Sequence, residues 1–189
     1  MSTHNFTLIA SGPLVGDDEI ANRLYEAGCD DAAVSFQKGV VAIEFDREAR
    51  NFIGALFSAL VDVRKAGLEV ERIEPDYLVS ASEIAARSGL GRAAVSLYAS
   101  GERGKEFPHP IARITSESPL WDWVEVASWM HRQNRVPLQT VVIARVIRGI
   151  NRAIVREEFI VSDHHFEWLS ATLRKSREPE RAARPQNLP

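Results

Sequence analysis

The side chains with the most readable chemistry lie in one stretch, Ala81-Ser-Glu-Ile-Ala-Ala-Arg-Ser-Gly-Leu-Gly-Arg-Ala-Ala-Val-Ser-Leu-Tyr-Ala-Ser100. Arg92 carries a planar guanidinium that can donate two hydrogen bonds to guanine O6 and N7, or else bind a phosphate. Ser96 can donate to a base or a phosphate, and Ala93 can meet a thymine methyl. Gly91, Leu97 and Ser100 belong to the same helical face. That face is small and apolar, so any readout would lean partly on the shape of a duplex.

Such a face works only if two short helices cross closely around a tight turn. Ala85 is small where the second helix must pass over the first. Gly89 supplies the positive φ of the turn. Ile84, Leu90, Val95 and Tyr98 are spaced to anchor both helices on a core. Ser82 is read as the cap of the first helix, with Glu83 and Arg87 at an i, i+4 spacing on its surface. These offsets predict a helix-turn-helix over 81–101.

The region around it, residues 78–132, resembles winged helix-turn-helix regulators of the MerR and excisionase-like superfamily. Leu78-Val79-Ser80 resembles the lead-in to the first helix. Gly101-Glu-Arg-Gly-Lys-Glu-Phe-Pro-His-Pro and Ile111-Ala-Arg-Ile resemble the turn and two-stranded wing, and Pro119-Leu-Trp-Asp-Trp-Val-Glu-Val-Ala-Ser-Trp-Met the returning strand and closing helix. The resemblance implies a helix in the major groove, with a wing beside it that grips phosphate or minor groove. Arg103, Lys105, His109 and Arg113 are the wing's candidates for backbone contact, with solvated surface cations as the plain alternative. The motif lies mid-chain behind a different unit and without the long coiled coil of the full MerR regulators. The resemblance therefore carries over neither an effector nor activation by promoter untwisting.

Other chemistry is weaker. Asp163-His164-His165 has the look of a phosphoesterase metal signature, but it lacks the preceding strand and further acidic ligands, and adjacent helical histidines diverge by about 100°. A helix cap followed by surface histidines accounts for it better. His109 and His131 are isolated. No phosphate-binding glycine loop or Gly-x-Ser-x-Gly appears. No reaction class, metal or cofactor is expected. Trp121, Trp123 and Trp129 could form a base-stacking platform, but their strand and helix spacing, with Val126 and Met130, favours a small core.

Charge is divided unevenly. Residues 1–78 hold 14 acidic and 7 basic side chains, residues 79–135 hold 6 and 7, and residues 136–189 hold 6 and 9. The whole-chain net charge of -3 thus hides an acidic first part followed by basic ones, which permits a phosphate partner. A single cysteine, Cys29, excludes an internal disulfide and reads as structural. No apolar run approaches the roughly 18–20 residues of a membrane span, and the first residues carry no secretory signal, so a cytoplasmic protein is expected.

Residues 1–76 read as strand, helix, strand, strand, helix, strand. The strands are placed at Phe6–Ala10, Ala33–Gln37, Val40–Asp46 and Leu68–Ile73. The helices follow Asp17-Asp18 and run over 48–66, with Gly28 and Gly67 as stops. The order matches a ferredoxin-like split βαβ arrangement. Such a unit could bind an unknown ligand or protein, mediate dimerisation, or act as scaffold. After Arg135, Pro137 opens a helix with the stripe Val142, Val146, Ile150 and Ile154, and a second stripe of Arg145, Arg148, Arg152 and Arg156. The apolar stripe either pairs two copies or packs on its own chain. A shorter helix with Phe166, Trp168, Leu169 and Leu173 follows, and 174–189 reads as a disordered tail.

The expected architecture is therefore α+β: a ferredoxin-like βαββαβ domain over 1–76, a winged helix-turn-helix over 77–135, C-terminal helices over 136–173, and the tail. The expected function is sequence-specific binding of double-stranded DNA by a homodimeric transcriptional regulator, a repressor, and not an enzyme. Two alternatives stay open: an excisionase-like architectural factor in recombination, or an antitoxin or adaptor working through protein contacts.

Overall fold

Alternation of apolar residues builds the N-terminal half. In the computed structural model, which describes residues 1–13 and 15–156, four strands form one antiparallel sheet. They are β1 (Ser2–Ser11), β2 (Ala32–Gln37), β3 (Val40–Ala49) and β4 (Glu69–Glu74), in the order β2-β3-β1-β4. Leu8 faces Ile43 on one side and Ile73 on the other, and all three are fully buried. The same core takes Ile20 and Leu24 of α1 (Asp17–Ala27) and Leu56, Leu60 and Val63 of α2 (Phe52–Lys65). Gly28 ends α1 in the left-handed conformation, while its N-cap is Gly16, which leaves Asp17 and Asp18 in the first turn. α2 begins only at Phe52, after the N-cap Asn51, whose side chain accepts from the Gly54 N–H.

Cys29 is buried, and burial pushes its thiol up to about 11, with Arg47 opposing, so it stays protonated at neutral pH.

The second half contains β5 (Leu78–Val79), α3 (Ala81–Ser88), α4 (Arg92–Ala99), β6 (Trp121–Asp122), α5 (Trp123–Arg132) and α6 (Leu138–Val155). β5 and β6 form a two-stranded antiparallel sheet. Val79, Ile84, Val95, Val124, Val126 and Met130 fill a second core. Trp121, Trp123 and Trp129 are all buried in it. Their indole faces are consumed by packing and cannot serve as a stacking platform. No helix among the described residues is long and apolar enough to cross a membrane.

Two expectations are corrected here. The cap of α3 is Ser80, not Ser82: Ser80 Oγ accepts from the Glu83 N–H, and the Glu83 carboxylate accepts from the Ser80 N–H at 2.7 Å. This reciprocal pair satisfies two N-terminal groups at once, and Ser82, inside the first turn, cannot reach them. The second correction concerns α6. Its stripe is not an open surface: Val146 and Ile150 are buried in the first core and Ile154 packs against it. On the same helix Val141 and Ala144 belong to the second core. The 18 residues of α6, about 27 Å long, therefore close both interiors, and the stripe no longer argues for a dimer.

Side-chain polar contacts from the C-terminal half of α6 fasten it to both cores' surroundings. Asn151 donates to the Ile73 carbonyl and accepts from the Ile73 N–H, each at 2.9 Å, and so completes the backbone pairing of edge strand β4. Arg148 and Arg152 both reach the buried carboxylate of Asp122, at 2.8 and 3.6 Å. The Asp163-His164-His165 segment, the expected helix with Phe166, Trp168, Leu169 and Leu173, and the 174–189 tail lie outside the described residues.

Candidate nucleic-acid interface

The turn between α3 and α4 is built on Gly89. It adopts φ +68°, caps α3, and is followed by the Leu90 N–H donating to the Ala85 carbonyl. Ile84 and Val95 are fully buried, Ala85 and Tyr98 nearly so, and Leu90 is half-buried against the same core. All six scaffold residues expected from the sequence meet around this crossing. Arg87 is not a free surface cation. It donates to the Asp76 carbonyl at 2.8 Å, lies over the Trp123 ring, and stands 4.0 Å from Glu83. Burial opposes ionisation of Glu83, but the bonds from Ser80 and the charge of Arg87 outweigh it and hold its carboxyl below the usual range.

With Val95 and Tyr98 turned inward, α4 leaves Arg92, Ala93, Ser96, Leu97 and Ser100 exposed along its outer side. The N-cap, Gly91, offers no side-chain bond to the first turn, so the leading N–H groups of α4 carry no side-chain cap. Ser100 is less available: its hydroxyl bonds the Leu97 carbonyl and the Glu102 carboxylate.

The segment after α4 departs from the expected turn and strand. Residues 101–110 contain no strand. Pro108 and Pro110 lack the N–H that a ladder would use. The loop is instead pinned to aromatic rings. Phe107 stacks on Tyr98 and meets Trp129 edge-on, with centroids 5.9 and 5.1 Å apart. The Trp129 indole donates to the Lys105 carbonyl and the Trp121 indole to the Pro108 carbonyl. Arg103 is held beside α4, its N–H on the Leu97 carbonyl and its guanidinium over the Tyr98 ring. Lys105 and His109 are exposed on the same loop.

The returning hairpin is short. Ala112 and Leu120 form a single bridge with reciprocal backbone bonds, next to the β5–β6 pair. Its loop carries Arg113, exposed and with φ +52°, and Ile114, which is 66% exposed. The structure thus brings Arg103 to α4, and places Lys105 and His109 on the pinned loop and Arg113 on the hairpin. Asp122 was not singled out from the sequence. One of its oxygens caps α5 through the Val124 N–H and the other receives Arg148, tying the hairpin's base to α6.

Two glycines separate conformational need from space. At Gly89 an added Cβ would meet nothing within 4 Å, whereas at Gly104 (φ +74°) it would lie 2.9 Å from Tyr98 and 3.0 Å from Trp129. Gly89→Ala is expected to cost only the left-handed backbone, about 1 kcal/mol. Gly104→Ala adds overpacking against two rings and should cost about 2–4 kcal/mol. Denaturant melts of both variants check the order, and an equal loss would mean that the loop does not sit on the rings.

Compared with protein-family models, curated proteins and solved structures, this chain matches none.

Proposed function

We propose that this chain binds double-stranded DNA through a winged helix-turn-helix of the MerR and excisionase-like type and regulates transcription. The reading takes α3 and α4 as the helix-turn-helix, the 111–121 hairpin as the wing, and the four-stranded unit as a ferredoxin-like partner domain. One observation carries it: α4 is locked inward by Val95 and Tyr98 while Arg92, Ala93, Ser96 and Leu97 stand exposed on its outer side. An eight-residue helix held this way can enter a major groove with its first turn leading, which is the docking mode of such motifs. Arg92 sits in that first turn, next to N–H groups suited to a phosphate. Arg103, Lys105 and Arg113 supply the flanking charge for the backbone.

Selection of bound fragments from a random duplex pool, at fixed salt, tests the reading directly. A recovered consensus is expected, and Arg92→Ala should weaken binding to it by about 1–3 kcal/mol, roughly five- to 150-fold, while relaxing one base position. Equal loss on all sequences would make Arg92 a phosphate contact. No retained duplex at low salt would remove the proposal.

A second reading, an architectural factor that bends its site, is favoured by Ile114. An aliphatic side chain left bare on a wing loop can wedge between base steps and kink the duplex. A bend seen by end-to-end energy transfer, and lost in Ile114→Ser, would favour this role over simple repression.

A further inference from the structure

The two edges of the four-stranded sheet are treated differently. β4 carries Glu69, Glu71, Arg72 and Glu74, its register with β1 shifts between Ile9 and Ala10, and Asn151 covers the outward N–H and carbonyl of Ile73. Charge, irregularity and cover are the standard means by which edges avoid further pairing. β2, at the other edge, has neither charge nor irregularity, and its outer backbone is tied at its first residue, where the Ala32 N–H donates to the Cys29 carbonyl. Its sequence, Ala32-Ala-Val-Ser-Phe-Gln37, holds no charge and no proline. Its register with β3 runs unbroken over all six residues. Among the described residues no strand pairs with its outer side. Phe36, opposite buried Val41, is 36% exposed although it belongs to the core-facing row.

We propose that β2 is a dimer seam, pairing antiparallel with β2 of a second copy to make one continuous eight-stranded sheet. A copy of the same chain is the occupant because the strand complements itself. A two-fold axis normal to the sheet requires facing side chains to lie on the same face, which restricts the pairing to alternate registers. The register centred on Val34 sets Val34 against itself, Ala32 against Phe36 and Ala33 against Ser35. It also brings Asp30, exposed in the turn before the strand, to the same end of the seam as the second copy's Lys38, in the turn after it, and does so at both ends. Opposite charges thus meet twice, and the open flank of Phe36 is covered by the partner's Ala32. The inference rests on the sheet alone and stands whether or not the chain binds DNA.

Sedimentation equilibrium over a concentration series tests it. The natural chain is expected to dimerise, and the double variant Ala33→Lys, Ser35→Lys to dissociate at least about tenfold more readily, because it opposes ammonium groups across the axis. Both positions lie on the face away from the core, and an unchanged circular dichroism spectrum establishes that the fold persists. Asp30→Lys alone and Lys38→Asp alone should each weaken the dimer, and their combination should restore it, because the swap reverses both charge pairs. A natural chain that stays monomeric throughout, or a dimer indifferent to the two lysines, overturns the seam. Additive losses in the swapped pair overturn the register.

Discussion

Replacing Arg47 by methionine is expected to destabilise the protein by about 3–5 kcal/mol, the largest single effect in the N-terminal half. Arg47 continues the buried row of β3 after Val41, Ile43 and Phe45, and is itself buried. Its guanidinium donates to both oxygens of Asp31, to Asp62 at 2.8 Å, to Ser58 and to the Gly28 carbonyl, and lies 4.8 Å from the Phe45 ring centre. Burial disfavours the cation, yet the two carboxylates more than offset it, so its pKa rises. Methionine keeps the aliphatic reach and removes every bond, leaving two half-screened carboxylates facing each other. Adding Asp62→Asn should recover part of the loss, because one stranded charge is gone. The pH dependence has a definite sign. Hydrogen bonds from Arg47 hold the Asp31 carboxyl below the usual range, so its stabilisation is complete above the ordinary carboxylate pKa and fades as pH falls through the depressed value. The gap between natural protein and variant should therefore narrow in acid. Urea melts at neutral and acidic pH measure it, and a gap that widens in acid would contradict the account.

Asn151→Leu carries the second large effect. Leucine keeps the branched shape, with larger methyl groups in place of the amide, but leaves the Ile73 N–H and carbonyl without partners in a buried setting. Two orphaned backbone groups at about 1–3 kcal/mol each set an expected loss of about 2–4 kcal/mol after the gain in apolar area. Hydrogen exchange offers a local readout. The Ile73 amide, protected by Asn151 Oδ1 at 2.9 Å in the natural protein, should exchange far faster in the variant, while amides in the middle of β3 slow or quicken only with global stability. Unchanged protection at Ile73 would show that another group covers the strand.

The α+β class and the order of elements were legible because they depend on local pattern. The alternation in β3, the glycine stops at Gly28, Gly67 and Gly89, and the helical periods of α2 and α6 all mark elements that form. Boundaries slipped where two residues of one type compete. Ser80 and Ser82 are both capping types, and only the spacing of Ser80 to Glu83 selects the first, a signal present in the sequence. The prolines at 108 and 110 likewise argued against a strand there. What covers the α6 stripe was not legible. Periodicity reveals which side of a helix is apolar, but Asn151 finds its partner, Ile73, in a strand 78 residues earlier, and no local pattern encodes that distance. Arg47 and Asp122 escaped notice for the same reason: their roles exist only once Asp31, Asp62 and Arg148 have been brought together in space. On α4, by contrast, the inward positions of Val95 and Tyr98 follow from local spacing, and Arg92, Ala93, Ser96 and Leu97 lie exposed opposite them.

Because α6 supplies side chains to both interiors, the order of synthesis matters. A nascent chain with α6 still inside the ribosome has every strand of the four-stranded sheet yet lacks side chains that complete both apolar interiors. Both interiors are therefore expected to close only once α6 has emerged, the outward backbone groups of Ile73 waiting until then for Asn151.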